Sequence, residues 1–483
     1  MATLDTAFEG GWLTFFSAPV SKERTRYVVV AAIAVGVAFD LAIRSGVAVL
    51  AGSLCILVAS AVLIASGRLQ TTASIVLVGV APLFGTWLTI RRSDWLIPFD
   101  VIASCALVAL GASLGSGASF WDLTVPRAVM RGFQAVTQFF LAPRFLAPQF
   151  LIGSARGRRT STVFAIARGV GLALPIVIIL AALLSSGDAV FASIVDIDID
   201  IADGIEHVLL IGFGTLAAAW LFRLASLTHV EAPHVDAPRI GRTEWLCVVG
   251  SLNVLLGIYA IARVIAFTEG GRKVITSAGL TWAEYARSGF FQLVGAAIVT
   301  TLTLLALRAA AHEGRDERLF KGLSLAVVAF TLLIVVTAFQ RLVLYERVFG
   351  LTMLRIYVQV AIIGIAIFCI MLALVVMGVR HDRAWLWPAA GIVALGLLFA
   401  LNVFNPEAFV ARYNLAHPTD ARFDPDYLVE GLGDDAAPVL AEHGRLPSEA
   451  CDSQDRMDGW ADYNVAVARG DEIRSELCRH RGG

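Results

Sequence analysis

Apolar positions along this chain fill runs about as long as a bilayer core is thick, which takes about 20 residues. Eleven such runs stand out: 27–43, 46–66, 69–90, 96–114, 162–185, 205–225, 245–267, 284–308, 319–343, 351–377 and 386–404. Runs this long and apolar are predicted helices, because a helix satisfies its own backbone hydrogen bonds in lipid. The expected fold is all-α, a polytopic bundle of about eleven transmembrane helices. Residues 1–26 form an expected cytoplasmic segment, residues 27–404 the membrane domain, and residues 405–483 an acidic helical tail.

Composition agrees with the pattern. Of the 483 residues, 58% are hydrophobic and only 16% charged, against about 25% charged in an ordinary soluble domain; mean hydropathy is +0.75. The net charge of −1 says little, because the signs are segregated along the chain. The first 26 residues carry no apolar h-region after a basic start, so no cleavable signal peptide is expected and the first span serves as insertion signal. Lys and Arg favour the cytoplasmic side of a membrane. With the N-terminus inside, nineteen lie on inner connections and nine on outer ones or near outer helix ends. An odd number of spans then places the tail outside.

Polar features mark the candidate sites. The stretch 339–359, FQRLVLYERVFGLTMLRIYVQ, puts Arg341, Tyr345, Glu346, Arg347, Arg355 and Gln359 between two apolar runs, where charge is costly. Gly350 is the expected helix stop and Thr352 the restart. Span eight opens with Glu284, Arg287 and Phe291 on one stripe. The expected outward pocket comprises Glu284, Arg287, Arg341, Tyr345, Arg355 and Asp100, with Arg355 against Glu284. Arginine and tyrosine together suit an anionic headgroup or a phosphate; a structural ion-pair network is the competing reading. Asp40 and Arg44 are expected to pair at i,i+4. The acidic run Asp196, Asp198, Asp200, Asp203, Glu206 reads as a solvated outer loop. It is no EF-hand, since Ile201 stands where Gly is needed and His207 where Glu is needed. In the inner connection 115–160, Val129, Phe133, Val136 and Phe140 share one face of a helix and Arg127, Arg131 and Gln134 another, a pattern for a helix lying in the membrane interface.

Cys55, Cys105, Cys247 and Cys369 lie in apolar runs and read as small buried hydrophobes. Cys451 and Cys478, in a tail outside the cytosol, are expected to form a disulfide. No zinc-type spacing, HExxH, GxSxG or phosphate loop occurs, so no metal, cofactor or catalytic residue is nominated, and nothing points to nucleic acid. Over residues 405–483, sixteen acidic residues face eight basic ones. Short helices are expected at 406–415, 426–430, 434–442 (with Asp434 as N-cap) and 460–477, packed back on the membrane domain.

The segments LTWAEYARSGFFQLV, YERVFGLTMLRIYVQ and NPEAFVARYNLAH, followed by DPDYLVEGLGDDAAPVL, resemble a bacterial multi-pass membrane family known as a domain of unknown function, the 4153/4173 group. The resemblance runs from about span seven into the tail and implies an integral membrane protein of the bacterial inner (plasma) membrane. It supplies no activity. The leading expectation is a protein that binds an anionic or lipid ligand at the outward polar pocket, to transport or sense it. The alternatives are an enzyme acting on lipid-linked substrates at the outer leaflet, with Asp40, Asp100 or Glu284 as its carboxylate, and a scaffold that docks a partner on its basic inner loops.

Overall fold

The computed structural model describes residues 28–115, 117–143, 145–146, 201–227, 240–267, 290–310, 317–379, 384–417, 427–428, 431–445 and 459–481. Helices stand at ten of the eleven expected spans; the eleventh, 162–185, lies outside the described residues. Eight of these helices are long and apolar enough to cross a membrane, and a ninth, Leu50–Ala65, is apolar but shorter. The protein is an all-α polytopic membrane protein. Its chain divides into two compact units, residues 1–120, 125–233 and 454–471 in the first and 121–124, 234–453 and 472–483 in the second.

In the first unit the described helices are α1 (Val28–Arg44), α2 (Leu50–Ala65), α3 (Thr72–Ile90), α4 (Leu96–Leu114), α5 (Val125–Phe140) and α6 (Ile201–Ala225). Helices α1 and α6 cross closely. A Cβ on Gly36 would lie 2.5 Å from the Ile211 carbonyl oxygen, and one on Gly214 would lie 2.9 Å from the Gly36 Cα. Two glycines face to face let the backbones approach as small residues do in membrane bundles.

Helix α5 has the predicted amphipathic pattern, with Phe133 and Phe140 among its exposed side chains. Its polar face, however, turns into the protein. Gln134 and Gln138 are buried, Arg223 Nε donates to Gln138 Oε1 at 2.6 Å, and Arg131 donates to the Ser113 carbonyl at 3.1 Å.

Residues 459–467 return to this unit. The Leu50 and Ala51 amides at the start of α2 donate to the carbonyls of Tyr463 (2.9 Å) and Ala461 (3.1 Å). Those amides have no partner inside their own helix. Asn464 is fully buried; its Nδ2 lies within hydrogen-bond distance of the carbonyls of Ala48 (2.8 Å), Leu88 (3.1 Å) and Arg91 (3.0 Å). Its Oδ1 accepts from the Ala466 amide at 2.9 Å, capping α14 (Val465–Arg481), within which the division between units falls.

The second unit contains α7 (Arg242–Phe267), α8 (Phe290–Ala310), α9 (Glu317–Phe349), α10 (Met353–Met377), α11 (Leu386–Phe404), α12 (Pro406–Ala416) and the short α13 (Ala437–Glu442). Helix α9, 33 residues long, is the centre. Its Phe320, Val327, Val335 and Leu342 form a core with Trp245 of α7, Leu304 of α8 and Ile362 of α10.

The tail departs from expectation at two helix starts. Asp434 opens a 3-10 turn capped by Gly433 and pairs with Arg474 at 2.7 Å instead of capping a helix. The last helix begins at Val465, not near 460, because Asn464 fixes its first turn. Of the expected 426–430 helix only residues 427 and 428 are described.

Candidate functional site

The α9–α10 hairpin is the stretch the sequence singles out. Helix α9 runs on to Phe349, and Gly350 turns the chain at φ +75, a conformation that suits glycine. Met353 then starts α10 with Thr352 at its N-cap, without a side-chain bond from Thr352. The cap comes from elsewhere: the Met353 amide donates to the Tyr427 hydroxyl at 2.9 Å. Burial pushes the Tyr427 phenol up, against a smaller opposite effect of that bond, so the hydroxyl keeps its proton. Asn414 of α12 pairs with Leu351 as a backbone strand would. Its Nδ2 donates to the Leu351 carbonyl and its Oδ1 accepts from the Leu351 amide, both at 2.8 Å.

Inside the hairpin, Glu346 is buried. Gln359 of α10 donates its amide to both carboxylate oxygens at 2.8 and 2.7 Å. Arg355 lies over the Tyr345 ring, 4.5 Å from its centroid, and donates to the carbonyls of Phe349 (3.2 Å) and Gly350. It thereby serves the last carbonyls of α9, which lack partners in their own helix. The Tyr345 and Phe349 rings are 4.3 Å apart.

Of the expected pocket, Tyr345 and Arg355 are in contact and Arg341 lies one turn before Tyr345 on α9. Glu284 and Arg287 lie outside the described residues, and with them the expected Arg355–Glu284 contact. Asp100 is buried in α4 and belongs to the first unit. Cys451 is also outside the described residues, so the Cys451–Cys478 disulfide finds no support. Cys55, Cys105, Cys247 and Cys369 are free, and no group of three His, Cys, Asp or Glu among the described residues is arranged to hold a metal. The clamp residues Asn414 and Tyr427 carry no sequence signal beyond being polar in an apolar neighbourhood.

A second polar cluster sits where α1 and α6 cross in the first unit. Asp40 and Arg44 do not pair with each other as expected. Asp40 is buried, and its Oδ2 stands 2.7 Å from His207 Nδ1. A carboxylate only accepts, so that nitrogen carries the proton. Arg44 pairs with Asp203 and, at 3.8 Å, with Glu206. The last part of the acidic run is thus the first turns of α6, not a loop, and it draws its cation from the neighbouring helix. Asp203 Oδ2 also lies 3.6 Å from His207 Nε2.

The model of one protein family, the domain of unknown function DUF4153, matches residues 72–443. The chain belongs to this family. The matched region covers α3 to α13 and the whole hairpin with its Asn414 and Tyr427 clamps. Neither a curated protein nor a solved structure matches the chain. The family brings no reaction with it.

Proposed function

We propose that this family member is a multi-pass protein of a bacterial inner membrane that binds an anionic lipid headgroup at the α9–α10 hairpin, on the outward side, to transport or sense it. One observation carries the reading. Between residues 339 and 359 three arginines, Arg341, Arg347 and Arg355, face a single carboxylate, Glu346, and that carboxylate is taken up by Gln359. The hairpin therefore holds a net charge of about +2 at a helix end, and a basic side chain near a membrane surface is worth ~1 kcal/mol toward anionic lipid. Glu284 and Arg287, at the start of span eight in the sequence, are the remaining members of the proposed site. The test is lipid retention by the purified protein, read by native mass spectrometry with phosphatidylglycerol against phosphatidylcholine. Arg347→Gln removes an exposed charge and should weaken anionic binding about five-fold; with Arg355→Gln added the total loss should be about thirty-fold, at ~1 kcal/mol per arginine. Equal retention of the two lipids by the unmodified protein would overturn the proposal.

The reading as an enzyme on lipid-linked substrates draws on a different observation, the Asp40–His207 pair. A carboxylate that fixes an imidazole tautomer is a device of general-base catalysis, and Asp40 Oδ1 is buried without a hydrogen-bond partner in the structure. On this reading, turnover of a lipid-linked sugar disappears in both Asp40→Asn and His207→Gln. Turnover that survives both changes removes it.

A further inference from the structure

A cavity of about 320 Å³ lies between α8, α10 and α11 of the second unit. That is at the lower end of the size of sites that hold small ligands. Its floor is α10 at Ala361, Gly364 and Phe368; Leu302 of α8 and Leu397 of α11 form the sides. The floor is low because Gly364 has no side chain: a Cβ there would meet only Leu397 Cδ1, at 3.4 Å. The single polar side chain in the lining, Thr301, is already served by the Ala297 carbonyl at 2.7 Å. Nothing in the lining asks for a hydrogen bond, so a polar ligand would lose its water without compensation.

The cavity has one closed end. There Met371, Val375 and Leu386 pack with Leu305 and Ala390. The opposite end lies toward Ala361, six residues or about 9 Å along α10 from Arg355. The three walls are helices long and apolar enough to cross a membrane, so the cavity lies at the depth of the lipid hydrocarbon. A slot that is apolar throughout and stopped at one end fits the terminus of a flexible chain.

We infer that this slot is a binding site for one long hydrocarbon chain of a membrane lipid, its tip seated at Met371 and its polar end toward the hairpin side of the bundle. The inference does not rest on the arginines of the hairpin. On α10 the lining residues 361, 364 and 368 fall on a different face from Arg355 and Gln359, at about 100° per residue. Acyl and isoprenoid chains share the required chemistry.

Photo-crosslinking tests the inference. The protein in nanodiscs is irradiated with a phospholipid carrying a diazirine near the end of one acyl chain and, separately, with a polyprenyl phosphate carrying one near its end. Adducts are mapped by peptide mass spectrometry. Adducts within 361–371 and 390–397 should exceed by at least ten-fold those on the exposed Val254, Ile258 and Ile261 of α7, which report ordinary boundary lipid. The probe that labels identifies the lipid source. Gly364→Phe and Ala394→Phe fill the slot and should each abolish the excess while eluting as the unmodified protein does. Equal labelling of slot and α7 overturns the inference, as does labelling that persists in a filled variant. A second copy of the chain protecting the slot, seen as a doubled particle mass with no slot adducts, overturns it as well. If neither filled variant elutes normally, the labelling ratio in the unmodified protein decides.

Discussion

Asn464→Ala is expected to destabilise the first unit by about 2–4 kcal/mol, one of the two largest single-residue effects foreseen for this chain. The figure has two parts. Truncation removes the Nδ2 donor shared by the carbonyls of Ala48, Leu88 and Arg91; leaving a buried acceptor unpaired costs ~1–3 kcal/mol. It also removes the Oδ1 cap from the Ala466 and Val467 amides, and a lost N-cap costs ~1 kcal/mol. The contrast with Asn464→Asp separates the two. Aspartate keeps the cap but turns a carboxylate toward three carbonyl oxygens, so it should be at least as harmful as alanine. Thermal unfolding of the detergent-solubilised protein, followed by size-exclusion chromatography, reads both. An Asp variant as stable as the unmodified protein would mean that the cap, not the carbonyl contacts, is what Asn464 supplies.

Gly36→Leu or Gly214→Leu should cost about 3 kcal/mol or more, at the upper end of overpacking effects. At both positions a new side chain meets backbone or a neighbouring Cβ rather than a flexible tip: the Ile211 carbonyl for Gly36, and Phe39 Cβ at 2.7 Å for Gly214. The helices have to move apart, and Asp40 then loses His207, because Asp40 lies one turn from Gly36 and His207 two turns from Gly214. Gly79→Leu is the control, since a Cβ there meets nothing within 4 Å. The expected outcome is an aggregated or low-melting product for the two crossing glycines and normal behaviour for Gly79. A normal melting profile in Gly36→Leu would show that the crossing is not tight in the membrane.

The positions of the membrane helices were legible in the sequence because length and hydropathy are local properties. Helices stand where the runs 69–90, 96–114, 351–377 and 386–404 predict them, within a few residues. Gly350 was legible as a stop for the same reason, since a residue that tolerates φ +75 breaks the pattern on its own. Partners across the fold were not legible. Asp40 and Arg44 have the right spacing to pair, but each finds a partner on α6 instead, and nothing in residues 40–44 encodes that helix. In α5 the periodicity assigned residues to faces correctly yet could not say which face meets protein. In water the apolar side turns inward; in a membrane lipid can take it, and Gln138 turns inward. Asn414, Tyr427 and Asn464 act through hydrogen bonds to backbone far away in sequence. An isolated polar residue looks the same whether it caps a distant helix or faces solvent.

The bond from Asn464 to the Ala48 carbonyl joins residues 416 positions apart. A ribosome adds about 5–20 residues per second, so on the order of 20–80 s pass between the appearance of the two partners. Through that interval the leading amides of α2 and the carbonyls at the ends of α2 and α3 wait without the groups that finally satisfy them. The first unit is thus completed from its far end: insertion of its helices and closure of its structure are separate events in biosynthesis. A chain cut short before residue 464 would carry every helix of that unit from α1 to α6 and still present an unsealed surface to the cell's proteases.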